Sequence, residues 1–235
     1  MKTLCIIPAR GGSKRIPRKN IRPFLGLPII AYSIRSAQES GLFDEVMVST
    51  DDAEIAEIAR QYGASVPFAR SADTANDHAT TAAVLAEVLA GYAQQGTHFD
   101  RACCLYATAP FATADTLREA FAKLETGGFD TVFPVVRFSF PIQRAVVFQD
   151  DRLVWREPDH ALTRSQDLAP AFHDAGQFYC FVVSRFLDSG RLLTDNTGAI
   201  ELTELEAQDI DSPVDWQLAE LKVDLLRQNR VGKTD

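Results

Sequence analysis

Four short, unbroken apolar runs, TLCIIPA, DEVMVST, RACCLYA and DTVFPVV, punctuate the first 135 residues, and what lies between them has the period of a helix. Runs without polar alternation fit strands buried on both faces, as in a parallel sheet covered by helices. PIIAYSIRSAQESG opens on Pro28 and closes on Gly41, the punctuation of a helix. DDAEIAEIARQYG places Ile55, Ile58, Ala59 and Tyr62 on one face, with Thr50 or Asp51 expected to cap it, and ASVPF is expected to add a short strand. Residues 78–95 bring Leu85, Val88, Leu89 and Tyr92 into a stripe, and 113–126 align Leu117, Phe121 and Leu124. This alternation predicts an α/β fold: a Rossmann-like, doubly wound, mostly parallel sheet with right-handed crossovers. Ligands of such sheets sit at the carboxyl ends of the strands, which points to the loops at 9–23 and 107–113.

Over about 137–200 the pattern changes to shorter pieces, QRAVVFQDDRLVWRE with a turn at Asp150-Asp151 and then GQFYCFVVS. Too small to fold alone, they read as a β-hairpin insertion within a single domain spanning 1–235, one that completes the site, forms a dimer arm, or both. A helix over 212–229 follows, with Val214, Leu218, Leu221 and Leu225 on one face. Hydrophobic content of 46% and charged content of 24% match an ordinary globular chain, and no apolar run approaches the roughly 20 residues of a membrane span. The apolar patch before Pro8 is too short for a secretory signal, so a cytoplasmic protein without a membrane partner is expected. Cys5, Cys103, Cys104 and Cys180 lie in strand-like runs without C-x-x-C spacing, which favours buried thiols over zinc ligands or disulfides.

Six of the chain's 24 basic residues fall within the first loop: Arg10, Lys14, Arg15, Arg18, Lys19 and Arg22, interleaved with Gly11, Gly12, Pro17 and Asn20. The chain as a whole carries −8, which argues against a nucleic-acid partner and makes this positive charge local, suited to a compact anion. Glycines let backbone N–H groups converge while the cations supply charge, so the loop is a candidate phosphate cradle. Spacing excludes two familiar cradles. A P-loop requires G-x-x-x-x-G-K-[ST], whereas Ser13 precedes Lys14 and Arg15 follows it, and the third glycine of a dinucleotide fingerprint is missing. The alternative is a solvated basic surface loop.

QDIDSPVDW sets Asp209 and Asp211 two apart, on one face of an extended segment. Hard oxygen ligands of this kind suit Mg²⁺, although the same residues could instead cap a helix starting near Pro213. RSQDLAPAFHDAGQFY gathers Arg164, Gln166, His173, Asp174, Gln177 and Tyr179 near a strand start. A serine-hydrolase reading of Ser165, His173 and Asp174 lacks the G-x-S-x-G elbow, and a sugar pocket suits this supply of donors and acceptors better.

Taken together, IPARGGSKRIPRKNI, STDD, YATAP, RSQDL, HDAGQFY and DIDSPVDW resemble the motifs of the cytidylyltransferases that activate acidic nine-carbon sugars, over about residues 3–220. The resemblance implies CTP and such a sugar as substrates, a Rossmann-like fold of the nucleotide-diphospho-sugar transferase type, and a homodimer. It implies a nucleotide site of Pro8, Ala9, Arg10, Gly11, Gly12, Ser13, Lys14, Lys19 and Asn20, with Arg70 and the DHATT segment, Asp77 to Thr81, serving cytosine and ribose. Thr80 and Thr81 could equally begin a helix. Mg²⁺ is implied on Asp209 and Asp211. The implied sugar contacts are Tyr106, Thr108, Gln143, Arg144, Arg164, Gln166, His173, Asp174, Gln177 and Tyr179, with Arg144 or Arg164 clamping the sugar carboxylate. SFPIQRA together with RSQDLAPAFHDAGQFY resembles more specifically the branch acting on pseudaminic acid. Sialic acid enzymes carry a Gln-Pro-Thr-Ser-Pro type of motif where this chain has Tyr106-Ala107-Thr108-Ala109-Pro110, a phenol in place of an amide. The expected reaction is CMP transfer from CTP, with Arg10, Lys14 and Asp211 in the catalytic roles. The competing expectations are another acidic sugar, N-acetylneuraminic or legionaminic acid, and a CTP-binding regulator without turnover.

Overall fold

The computed structural model describes residues 1–231. β1 (Thr3–Pro8) leads into the basic loop, and the short ribbon of β2 (Pro23–Phe24) and β3 (Leu27–Pro28) brings the chain to α1 (Ile29–Ser40). Next come β4 (Glu45–Ser49), α2 (Ala53–Gln61), α3 (Ala72–Ala75), α4 (Thr81–Gln94), β5 (Arg101–Leu105), α5 (Ala114–Gly127) and β6 (Thr131–Arg137). The hairpin of β7 (Val146–Gln149) and β8 (Arg152–Trp155) precedes β9 (Phe172–Asp174), β10 (Phe178–Val182), α6 (Val183–Ser189), β11 (Thr197–Leu202) and α7 (Pro213–Val231). No described helix is long and apolar enough to cross a membrane.

The main sheet has the order β11-β6-β10-β5-β1-β4, with β9 also paired to β6. β1 runs parallel to β4 and β5, β11 parallel to β6, and β10 lies antiparallel between β5 and β6. The sheet is therefore mixed and mostly parallel, as expected. The chain leaves β1 toward β4 and then crosses to β5 on the other side, so the carboxyl ends of β1 and β5 flank a topological switch point where such folds bind ligands.

Alternation along the strands builds a core on each face. Cys5, Ile7, Cys103 and Leu105 pack on one side, Leu4, Ile6, Ala102 and Cys104 on the other. All four cysteines are buried free thiols, and burial pushes the Cys5, Cys103 and Cys104 thiols well above their usual range. A third cluster joins Ile16 of the basic loop and Phe24 to Ile210, Trp216, Ala219 and Val223, so the loop is nailed to α7 from beneath.

Four local expectations change. ASVPF makes a single bridge, Ser65 beside Met47, and not a strand. The cap of α2 is Asp52, whose carboxylate accepts from the N–H groups of Glu54 and Ile55 at 3.0 Å, while Asp51 turns away to the N–H of Gly11. GQFYCFVVS supplies β10, an inner strand of the sheet, and the part that stands off the sheet is the shorter stretch carrying β7 and β8. Its turn at Asp150 and Asp151 has φ of 46° and 64°, positive at both central residues as a tight hairpin of this hand requires. Lastly, Val214, Leu218, Leu221 and Leu225 of α7 face solvent at 62%, 43%, 66% and 42% exposure, because the helix buries its opposite face through Trp216, Ala219 and Val223.

Candidate active site

At the switch point lies a cleft of about 560 Å³, walled by the basic loop on one side and by the start of α4 and the loop after β5 on the other. Of the residues expected at the nucleotide, Pro8, Arg10, Ser13, Lys14, Lys19, Asn20, Arg70 and Thr81 line it. Ala9 is fully buried behind, and Gly11 and Gly12 form the back of the loop. The glycines do not act as expected: neither has a positive φ, and the Gly11 N–H goes to Asp51 Oδ1 at 3.0 Å and not into the cleft. Gly11 is required for closeness, since a Cβ there would stand 2.6 Å from Asp52 Oδ2. Thr80 is a helix cap, its Oγ1 accepting from Ala83 N–H at 3.2 Å, and does not line the cleft.

Each cation of the loop has a partner, and these divide the six by task. Arg18 is bound to Asp52 and Glu54, and Arg22 lies 4.8 Å over the Trp216 ring, so both hold the loop to its supports. Arg10 and Lys14 share the Asp77 carboxylate, which their hydrogen bonds hold down to about 2, Lys14 contributing most. Arg15 donates to Asp211 at 2.8 Å, and Lys19 donates to the Ile210 carbonyl at 2.5 Å with Asp211 Oδ1 at 3.5 Å. Asn20 Nδ2 donates to the Arg10 carbonyl at 2.9 Å and so fixes the start of the loop. Arg70 is buried against Thr74, and its burial lowers the guanidinium pKa while Asp51 and Glu87 oppose that.

Asp209 also lines the cleft, and its carboxyl is raised, first by burial and then by the like charge of Asp211. The capping alternative for this pair does not hold: Ser212 and Asp215 cap α7, with Asp215 Oδ2 accepting from the N–H groups of Asp211 and Ser212 at 3.1 and 2.7 Å. Both carboxylates are thus left over from helix capping. As neighbouring hard oxygen donors they are of the kind that suits a divalent cation, which would share Asp211 with Arg15 and Lys19. The described residues contain no group of three or more acidic, His or Cys side chains able to hold a metal, so phosphate oxygens and water would complete the shell.

The expected sugar residues separate into two sets. Tyr106 and Thr108 line the cleft, and Tyr106 Oη lies 3.2 Å from Thr81 Oγ1. His173 and Asp174 line an adjoining cavity of about 410 Å³ that meets the cleft at Asp209, which lines both. Tyr179 sits behind them, its phenol donating to Asp174, with its pKa raised by burial first and then by Tyr106 and Asp174. Gln177, at 1% exposure, reaches neither space; its amide donates to the Glu206 carbonyl at 2.6 Å and anchors the segment leading to Asp209. Gln143, Arg144, Arg164 and Gln166 lie on the stretch that stands off the sheet, engaged with Ala169, Ser165 and Asp167, and do not enter the cleft of their own chain. The physical reason is length: that excursion folds back on itself through contacts among its own residues. The segment starting at Asp77 is expected at the nucleoside, and the structure pairs Asp77 with Arg10 and Lys14 instead; sequence reasoning had no signal for Lys222, whose Nζ donates to the carbonyls of Glu204 and Ala207 on the wall of the second cavity.

A mostly parallel sheet with a cleft at this switch point is a Rossmann-like architecture, and solved structures share the fold. The structure of CMP:2-keto-3-deoxy-manno-octonic acid synthetase complexed with CTP superposes with a TM-score of 0.67 at 18% identity, covering 97% of this chain and all of that one. Sequence narrows the class further. The family model described as cytidylyltransferase matches residues 4–228, and the chain belongs to this family. The pseudaminic acid cytidylyltransferase of Campylobacter jejuni is 42% identical over 222 residues, 94% of this chain and 96% of the relative. The CMP-N,N'-diacetyllegionaminic acid synthase of Legionella pneumophila is 33% identical, covering 96% and 97%.

Proposed function

We propose that this chain transfers CMP from CTP to the anomeric hydroxyl of pseudaminic acid, releasing pyrophosphate. The observation that carries the reading is that Arg10, Lys14, Lys19 and Asp209 line one cleft together, in a chain 42% identical to a relative of that activity. The anomeric oxygen forms a bond to the α-phosphorus as the bond from that phosphorus to the leaving pyrophosphate breaks. Arg10 and Lys14 take up charge on the departing group, and charge-assisted contacts of this kind are about twice as strong as neutral ones. Mg²⁺ held by Asp209 and Asp211 would supply charge neutralisation at the phosphates. In this reading Thr81 and Arg70, which line the cleft with Tyr106, serve the nucleoside, and the cavity of His173 and Asp174, which shares Asp209 with the cleft, receives the sugar. The legionaminic and neuraminic acid enzymes of the family are the competing assignment, and Tyr106 favours a less polar sugar.

The chain acts as a homodimer in this reading. Phe140, Phe148, Leu153 and Leu162 are exposed on the stretch around β7 and β8, and a two-stranded hairpin with apolar residues in water is marginal unless something covers it. Gln143, Arg144, Arg164 and Gln166 ride on the same arm, and in this reading they meet the sugar of the neighbouring copy. CTP places the reaction in the cytoplasm. Pyrophosphate release with CTP, Mg²⁺ and a panel of pseudaminic, legionaminic and N-acetylneuraminic acids tests the assignment. The highest kcat/KM is expected with pseudaminic acid; turnover confined to N-acetylneuraminic acid overturns it.

A further inference from the structure

Among the described residues, the Asp77 side chain bonds only two cations of the basic loop, Arg10 and Lys14. It reaches across from the turn before α4 and gives one oxygen to Arg10 Nη1 and the other to Lys14 Nζ, the latter at 2.5 Å. Asp52 by contrast also caps a helix, while Asp211 meets a different pair of loop cations, Arg15 and Lys19. The turn itself is held by Asn76, whose Oδ1 accepts from His78 N–H at 2.8 Å and whose Nδ2 donates to the Asp73 carbonyl at 2.7 Å. The fold of the turn therefore does not need the Asp77 side chain. Lys14 is 79% exposed and Asp77 38%, and ion pairs this open to water are weak enough for a ligand to replace.

We propose that Asp77 is an internal competitor for the phosphate site, a carboxylate that occupies the cations required by the nucleotide's phosphates and so limits the grip on product pyrophosphate. The inference rests on reading the loop as the phosphate site. Every anion that uses Arg10 and Lys14 must first displace the same carboxylate, so each loses the same factor in affinity, while a ligand without phosphates loses nothing. A triphosphate overcomes this handicap through its larger charge and its nucleoside contacts. Pyrophosphate, left without the nucleoside once the bond has broken, faces Asp77 returning to its two cations, and its release is hastened.

Calorimetric titration of the native protein and Asp77→Asn with inorganic pyrophosphate, in EDTA at fixed ionic strength, tests this. Loss of two exposed pairs predicts a Kd for pyrophosphate about threefold to tenfold lower in the variant. The Kd for CTP should fall by a similar factor, that for cytidine should not change, and the gain should shrink as salt rises. Asp77→Ser, titrated alongside, separates loss of charge from any folding defect peculiar to asparagine. Unchanged or weaker pyrophosphate binding in both variants overturns the proposal, as does an equal gain for cytidine or a native protein that binds no pyrophosphate. Turnover of CTP with sugar acids by the native protein, measured in parallel, shows separately whether the transferase reading stands.

Discussion

Gly11 and Gly12 are neighbours with unequal demands on them. A methyl group on Gly11 would strike the Asp52 carboxylate that caps α2 and holds Arg18, whereas nothing lies within 4 Å of one on Gly12. Gly11→Ala is expected to lose about 1–3 kcal/mol of stability and Gly12→Ala to stay within about 0.5 kcal/mol, measured by denaturant unfolding. Asp52 also gives a pH dependence of known sign. Its carboxyl is held below the ordinary 3.8, chiefly by Arg18, so its stabilisation is complete above that value and lost as the pH falls below it. Asp52→Asn keeps the oxygen that caps the helix and removes the charge together with the second acceptor for Arg18; its melting temperature should lie below the native value at neutral pH, with the gap closing in acid. Lys14→Ala removes a contact to a charged leaving group and should lower kcat/KM about 10- to 100-fold, on the order of 1.5–3 kcal/mol. Much of this was legible beforehand: six cations within one loop announce an anion site. Which carboxylate each one meets was not, because Asp77 is 63 residues from Lys14 and Asp211 is 196 from Arg15.

Helix α7 shows why periodicity identifies a helix more securely than its orientation. Its apolar residues fall on two opposite faces: Trp216, Ala219 and Val223 on one, Val214, Leu218, Leu221 and Leu225 on the other. The second stripe reads more strongly in the sequence, yet the first is buried, because Trp216 packs edge-on to Phe24 at 5.5 Å and under the Arg22 guanidinium. Trp216→Ala should lose about 3–5 kcal/mol and loosen the loop carrying Lys19, whereas Leu221→Gln should change stability by less than about 0.5 kcal/mol; paired unfolding curves decide. β10 was hidden for a related reason. Its apolar run is as continuous as those of the parallel strands, but it follows the irregular arm, and nothing local distinguishes an arm strand from one that returns to the middle of the sheet.

Taken whole, the molecule is an alternating sheet whose switch point brings the basic loop after β1 against the acidic segment before α7. The alternation and both charged motifs were readable because they are local: strand runs, helical stripes, a cation cluster and a spaced carboxylate pair. The meeting of residues 10–20, 70–81, 106–108 and 209–211 around one cleft arises from the crossover order, which no single segment encodes. In-line attack by the sugar's anomeric oxygen on the α-phosphorus is the step for which this arrangement is built, and an isotope test reads it directly. The protein is incubated with CTP, Mg²⁺ and pseudaminic acid carrying ¹⁸O in the anomeric hydroxyl, and the product is weighed by mass spectrometry. A CMP-sugar that retains the label, with unlabelled pyrophosphate, is predicted; no CMP-sugar, or a CMP-sugar without the label, would contradict it.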